Sequence, residues 1–294
     1  MMIAIVFIIQ TLRIAVPYLF AAAGGVISER AGMIALTLEG YMLTGAFCAA
    51  LGSYYSGSAW GGVLAGAGGG IAMAMLYAVA AIRFRADQVV IGIAINLMAI
   101  GATRFFLRLA FNSAANSPRV AGFGDRQSAT GFMALVTNPL VWLAVLSIAL
   151  VGWLLNRTAF GLRVRAVGEH PAAAISVGVS VGRVRYAAAA LCGALAGLGG
   201  AYLTLDQHKF ASEMTAGRGF IALAAVIFGR WEPVRAGIAC LFFAAASTLQ
   251  IQLQGRQLIP SQFIEMIPYL LTIIVLAGVV GRVQPPAALG KVAD

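Results

Sequence analysis

Charge is what this sequence has least of. Asp, Glu, Lys and Arg make up 10% of its 294 residues, against about 25% in an ordinary soluble domain. With 61% hydrophobic residues and a mean hydropathy of +0.91, such a chain has too little polar surface to stay in water, and it reads as an integral membrane protein. Cysteine is nearly absent too. Cys48, Cys192 and Cys240 are odd in number and each sits in an apolar stretch, which excludes a disulfide or metal-ligating framework. Neither of the two histidines, His170 and His208, belongs to a His-Glu-x-x-His pair. There is no Gly-x-Ser-x-Gly elbow, and no Gly-x-x-x-x-Gly-Lys-Ser/Thr loop to cradle a nucleotide. Gly122-Phe123-Gly124-Asp125 matches half of an intramembrane aspartyl protease. That chemistry needs a second aspartate sharing a proton with the first, and Asp87, Asp206 and Asp294 lie in no matching context. An intramembrane enzyme is therefore disfavoured, and transport driven by ATP requires the nucleotide to be bound on another subunit.

Acidic residues are half as frequent as basic ones, 10 against 20, for a net charge of +10. In a soluble protein that surplus suggests nucleic acid; in a membrane protein it follows from Lys and Arg gathering in cytoplasmic loops. A bilayer core about 30 Å thick takes about 20 apolar residues per helix. Runs bounded by charge, Pro or Gly predict spans at 3–23, 33–51, 62–82, 88–110, 138–156, 187–205, 236–254 and 263–281, with a short run at 218–229. The first of these has no basic n-region and is interrupted by Arg13, so it reads as a span and not as a signal peptide. The expectation is one all-α polytopic domain over 1–294, with about eight transmembrane helices plus a half-helix. Continuous apolar runs argue against a barrel, whose strands alternate. One set of alternate loops holds 12 Lys and Arg and the other 4. That bias puts the 157–186 loop and the C-terminus in the cytoplasm and the N-terminus outside, provided the short run changes the side of the chain.

Glycine, with 35 residues, is abundant. Gly62, Gly66 and Gly70, and Gly193 and Gly197, recur every four residues, the spacing that lets helix backbones approach closely. Internal bundle packing is the expected use.

The 157–186 loop carries the sharpest local pattern. In Gly168-Glu169-His170-Pro171-Ala172-Ala173-Ala174, Pro reads as the first helical residue, Glu169 suits the positive end of a helix, and Gly178 supplies a stop. A short helix outside the membrane between basic flanks is predicted. Polar residues within spans mark a candidate solute path: Glu39, Thr44, Asn96 and Thr103. For Glu39, a pairing with Arg30 or Arg13 is the leading alternative to lining the path; for Asn96 it is an interhelical hydrogen bond.

The stretch FGLRVRAVGEHPAAAISVGVSVGRVRYAAAALCGALAGLGGAYL, followed by TAGRGFIALAAVIFGRWEPVRAG, resembles the membrane permeases of ATP-binding-cassette importers of the branched-chain amino acid, ribose and nucleoside family. GVISERAGMIALTLEGYMLTGAF and ADQVVIGIAINLMAIGATRFF look like the nucleoside-type members. The resemblance implies a type II-like importer permease in the bacterial inner membrane, transporting a nucleoside or simple sugar. In such a protein the loop helix, here Gly168 to Gly178, couples to an ATPase. It also implies that ATP and Mg bind on partner ATPase subunits and not on this chain. A second, longer permease and an extracytoplasmic solute-binding protein complete the expected assembly, together with membrane lipid. Family members commonly carry Asn before the proline where this chain has His170. Imidazole is a poorer N-cap, so a weaker helix start or a direct ATPase contact is expected there. An ion-coupled secondary transporter is the rival from another class; it calls for paired intramembrane charges and inverted repeats, which the sequence does not display.

Overall fold

The computed structural model describes residues 2–113, 115–123, 135–254 and 284–291. Among these the regular elements are helices, with one isolated bridge between Asn116 and Ala211. They are α1 (Met2–Arg30), α2 (Leu38–Ser56), α3 (Ala59–Ala78, prolonged by a π turn, Val79–Arg83), α4 (Gln88–Phe111), α5 (Pro139–Arg157), α6 (Ala159–Glu169), α7 (Pro171–Ser176), α8 (Val181–Gln207), α9 (Arg218–Phe228) and α10 (Pro233–Gln254).

Six helices, α1, α3 with its π turn, α4, α5, α8 and α10, are long and apolar enough to cross a membrane. α2 is 19 residues long but falls outside that set because Glu39, Ser53, Ser56, three tyrosines and three glycines dilute its hydropathy. It is instead the inner helix, packed on α3, α8, α4 and α9. The predicted short run appears as α9. The predicted span at 33–51 is shifted to Leu38–Ser56, because 31–37 is a non-helical loop; α8 begins six residues before the predicted 187. The predicted span at 263–281 lies outside the described residues.

Local chemistry sets several helix starts. Asp87 accepts from the Val89 and Val90 amides at 2.9 and 3.0 Å, opening α4. Asn138 accepts from Leu140 N at 3.0 Å ahead of Pro139, opening α5. Thr158 accepts from Gly161 N at 3.1 Å, opening α6. Each satisfies a donor that the helix geometry leaves orphaned.

The two glycine series meet one another. A Cβ on Gly70 would lie 2.0 Å from the Gly193 carbonyl oxygen, and one on Gly197 2.4 Å from that of Gly66. α3 and α8 thus touch backbone to backbone. α2 joins them through Gly45, where a Cβ would come within 2.4 Å of Gly197 Cα. In lipid, where apolar burial gives no drive for helices to associate, this close packing holds the three together.

Candidate functional site

Three polar assemblies stand out, and the first is the loop between α5 and α8. α6 ends at Glu169, His170 lies between the helices, and α7 runs from Pro171 to Ser176, with Gly178 in the left-handed region at φ +81°. The short helix is therefore where the proline predicts it. Gly168 and Glu169, expected at its start, instead close the preceding helix. Glu169 Oε2 accepts from Ala287 N at 3.3 Å, away from the first turn of α7. His170 makes no side-chain cap, as expected for imidazole; its main chain alone is engaged, N donating to Ala166 O at 2.9 Å and O accepting from Ala174 N at 3.0 Å. Of the alanines, Ala174 is buried while Ala172 and Ala173 are exposed, as are Ile175 and Val177. One small side chain anchors the helix, and its apolar outer face is left bare.

The second assembly surrounds α9. This helix begins at Gly217, which has φ +80° and no side chain to cap it. Glu39, in the first turn of α2, supplies the cap across space. Oε1 accepts from Gly217 N at 2.9 Å and Oε2 from Gly219 N at 2.7 Å. A carboxylate on the exposed amides at a helix start satisfies both donors and faces the positive end of the dipole. Gly219 makes the approach possible: a Cβ there would stand 2.4 Å from Glu39 N. The alternative pairing of Glu39 with Arg30 or Arg13 is not what the structure contains. Arg30 Nε donates to Trp231 O at 3.0 Å, and Arg13 is engaged elsewhere. At the other end of α9, Glu29 accepts from Ala35 N at 3.2 Å and from the Trp231 indole N–H. Two buried glutamates thus hold the two ends of one half-length helix, which spans about 16 Å.

The 31–37 loop between them is held by distant side chains. Gln88 Oε1 accepts from Ile34 N at 2.8 Å, and the Tyr77 hydroxyl donates to Ile34 O at 2.9 Å. Asn96 donates to Leu36 O and accepts from Gly40 N, both at 2.9 Å. Irregular backbone inside a membrane protein is tolerated only where its polar groups are met in this way.

Of the four predicted path residues, Glu39 and Asn96 are brought together at the start of α2 and serve main-chain groups. Thr103 bonds its own helix, at Ala99 O, 2.7 Å away. Thr44 alone among the four has a buried hydroxyl with no hydrogen-bond partner among the described residues.

The third assembly is an ion pair between α1 and α8. Arg13 of α1 donates from Nε to both oxygens of Asp206 at 3.0 Å and from Nη2 at 2.7 Å, a fork-on-carboxylate bond at the end of α8. Glu29 in α1 and Asp206 in α8 are carboxylates within membrane-length helices, beside Glu39 in α2. Asp206 lies one residue beyond the predicted end of its span at 205, and Glu29 beyond the end of its run at 23. Both sit in the helical extensions that hydropathy alone does not reveal. The pair is part-exposed, with side chains at 38% and 21%, so its coupling should be modest: Arg13→Ala and Asp206→Ala should each destabilise, and the double variant by less than the sum of the two. Thermal unfolding of the four proteins in a double-mutant cycle is expected to return a coupling of about 1 kcal/mol; zero coupling removes the bond from the stability argument.

The description "Branched-chain amino acid transport system / permease component" matches residues 7–276, and the chain belongs to that family of multi-pass membrane permeases. It is 38% identical over 301 residues to the guanosine ABC transporter permease protein NupQ of Bacillus subtilis, covering 95% of this chain and 93% of the relative. It is 36% identical over 301 residues to the nucleoside ABC transporter permease protein NupC of Lactococcus lactis, covering 93% and 92%. A guanosine ABC transporter permease protein of Bacillus subtilis with a different sequence, NupP, is 22% identical over 88% of this chain and 77% of its own length. No solved structure matches.

Proposed function

We propose that the chain is a permease subunit of an ATP-binding-cassette importer and forms part of the translocation path for a nucleoside, with a simple sugar as the second substrate class. The observation that carries this reading is α7: a six-residue helix held to the body by Ala174, with Ile175 and Val177 exposed. It stands between the arginines of 157–165 and Arg183, on a chain similar over nearly its whole length to nucleoside permeases. A bare apolar face on a charged loop suits a groove in an ATPase subunit, which would bind ATP and Mg. Closure of two such ATPases would pull on α7 and rock a pair of permeases between outward and inward access.

The remaining parts follow from the same reading. The excess of Lys and Arg on one set of loops supports a cytoplasmic 157–186 loop and C-terminus and an outside N-terminus, in a bacterial inner membrane. Eight membrane helices plus α9, in a type II-like arrangement, is the architecture that this topology requires. The likeness to both NupQ and the longer NupP, two guanosine permeases of one organism, supports pairing with a second, longer permease. An extracytoplasmic binding protein would deliver solute.

Reconstitution with co-purified partners tests the proposal: ATP-dependent uptake of labelled nucleoside, exceeding that of pentoses or branched-chain amino acids, is expected. Uptake that follows an ion gradient without ATP would sink it. Ile175→Asp puts a charge on the proposed docking face at little cost to the bundle. It should weaken co-purification of the ATPase by about 2 kcal/mol, the scale of a central interface residue, while membrane insertion is unchanged.

A further inference from the structure

Residues 284–291 lie across the junction between the α7 segment and the α9 clamp. Ala288 N donates to Gly168 O at 2.9 Å, and Ala287 N to Glu169 Oε2 at 3.3 Å. Two residues further on, Gly290 N donates to Gly32 O at 3.1 Å. One short segment thus bonds the last turn before α7 on one side and the start of the 31–37 loop on the other. Ala288 is 2% exposed. Gly168 and the end of α1 are packed so closely that a Cβ on Gly168 would sit 2.0 Å from Arg30 O.

Arg185 completes the junction. By sequence it is one of the basic residues framing the docking loop; in the structure it is 3% exposed. Its Nε donates to Ala31 O at 3.3 Å and its Nη1 to Lys291 O at 3.1 Å. Its Nη2 has no hydrogen-bond partner among the described residues and lies 3.0 Å from where a Cβ on Gly32 would be. A buried guanidinium kept with part of its hydrogen-bonding capacity unspent is costly, and its use here is to tie three main-chain segments into one body.

We infer that residues 284–291 and Arg185 form a strap that carries displacement of the α7 segment into the 31–37 loop, and so into the Glu29 and Glu39 clamp on α9. The residues act as positioning elements; none touches solute or nucleotide. The inference rests on the importer reading, because it needs a partner that pulls on α7. The physical content is that coupling between distant sites runs through a body whose parts move together. The strap is the piece that bonds both the pulled segment and the receiving loop.

The test uses the complete transporter in lipid vesicles, with ATP hydrolysis and solute uptake measured on the same preparation. Ala288→Asp introduces a buried charge under the strap, Arg185→Ala removes the tie, and a chain ending at residue 283 removes the strap. Each is expected to assemble with its partners, to hydrolyse ATP within about twofold of the wild type, and to lose roughly tenfold in solute transported per ATP. Arg185→Lys, which keeps the charge but not the forked geometry, should fall between. Unchanged transport per ATP in the Ala288→Asp and truncated chains would overturn the inference. So would failure of both to assemble, which would assign the strap to folding alone. Failure of the importer reading is distinguishable, since then the wild-type complex itself shows no ATP-dependent uptake.

Discussion

Replacing Glu39 by alanine is expected to lower the stability of the chain by about 4 kcal/mol, read as a fall in the thermal unfolding temperature in detergent or lipid nanodiscs. Two amides, the part-buried Gly217 N and the buried Gly219 N, lose their acceptor together. Each stranded donor costs about 1–3 kcal/mol, and the bonds being lost are charge-assisted. Solvent cannot repair the loss at Gly219, because Glu39 is 8% exposed and Gly219 is buried. Glu39→Gln should recover a third to a half of the difference, since one carbonyl oxygen can still accept while the amide nitrogen faces a donor. Glu39→Asp keeps the charge on a shorter arm, and Gly219 already stands at contact distance, so it should be the mildest of the three. An unchanged unfolding temperature for the alanine variant would show that the start of α9 does not depend on the carboxylate. The same variant should impair transport more than its stability loss explains if α9 moves with α2.

The clamp on α9 explains which parts of this protein are legible in its sequence. The spans, the half-helix and the helix at Pro171 are written in runs of neighbouring residues: apolar length, a Pro, a Gly. Those that fall within the described residues lie within seven residues of the expected bounds. The 31–37 loop is not written so, because its break in the helix leaves no gap in hydropathy: Met33, Ile34, Ala35 and Leu36 are as apolar as any span. What allows the break is a set of acceptors and donors from Glu29, Tyr77, Gln88 and Asn96, two of them over 50 residues away. For Glu39, charge in a span suggested a cationic partner, since opposite charges are the partners a sequence can display. Its real partners are main-chain amides 178 and 180 residues away, and an amide carries no signature in the residue name beyond the two glycines that let it come close. Asp206 and Arg13 were each visible, and only their 193-residue separation hid the bond.

Glycine marks the opposite case, where spacing in the sequence pointed to the contact, and it supports the second large effect. Gly70→Ala and Gly200→Ala are expected to destabilise the bundle by more than 3 kcal/mol, at or beyond the upper end of ordinary overpacking. In both, the added methyl meets main chain and not a movable side chain: Gly193 O at 2.0 Å for Gly70, and Met42 O at 1.9 Å for Gly200. Relief requires α3 or α2 to move off α8, which opens the seam along its length and forfeits the contacts at Gly45, Gly66 and Gly197 as well. The control lies in the same helices' class of residue. Gly68 and Gly101 have nothing within 4 Å of an added Cβ, so Gly68→Ala and Gly101→Ala should be neutral or stabilising by about 0.5–1 kcal/mol, the helix-propensity gain alone. Thermal unfolding of the four single variants therefore gives opposite signs for chemically identical substitutions. Equal behaviour of Gly70→Ala and Gly68→Ala would mean that the α3–α8 seam does not hold the bundle together.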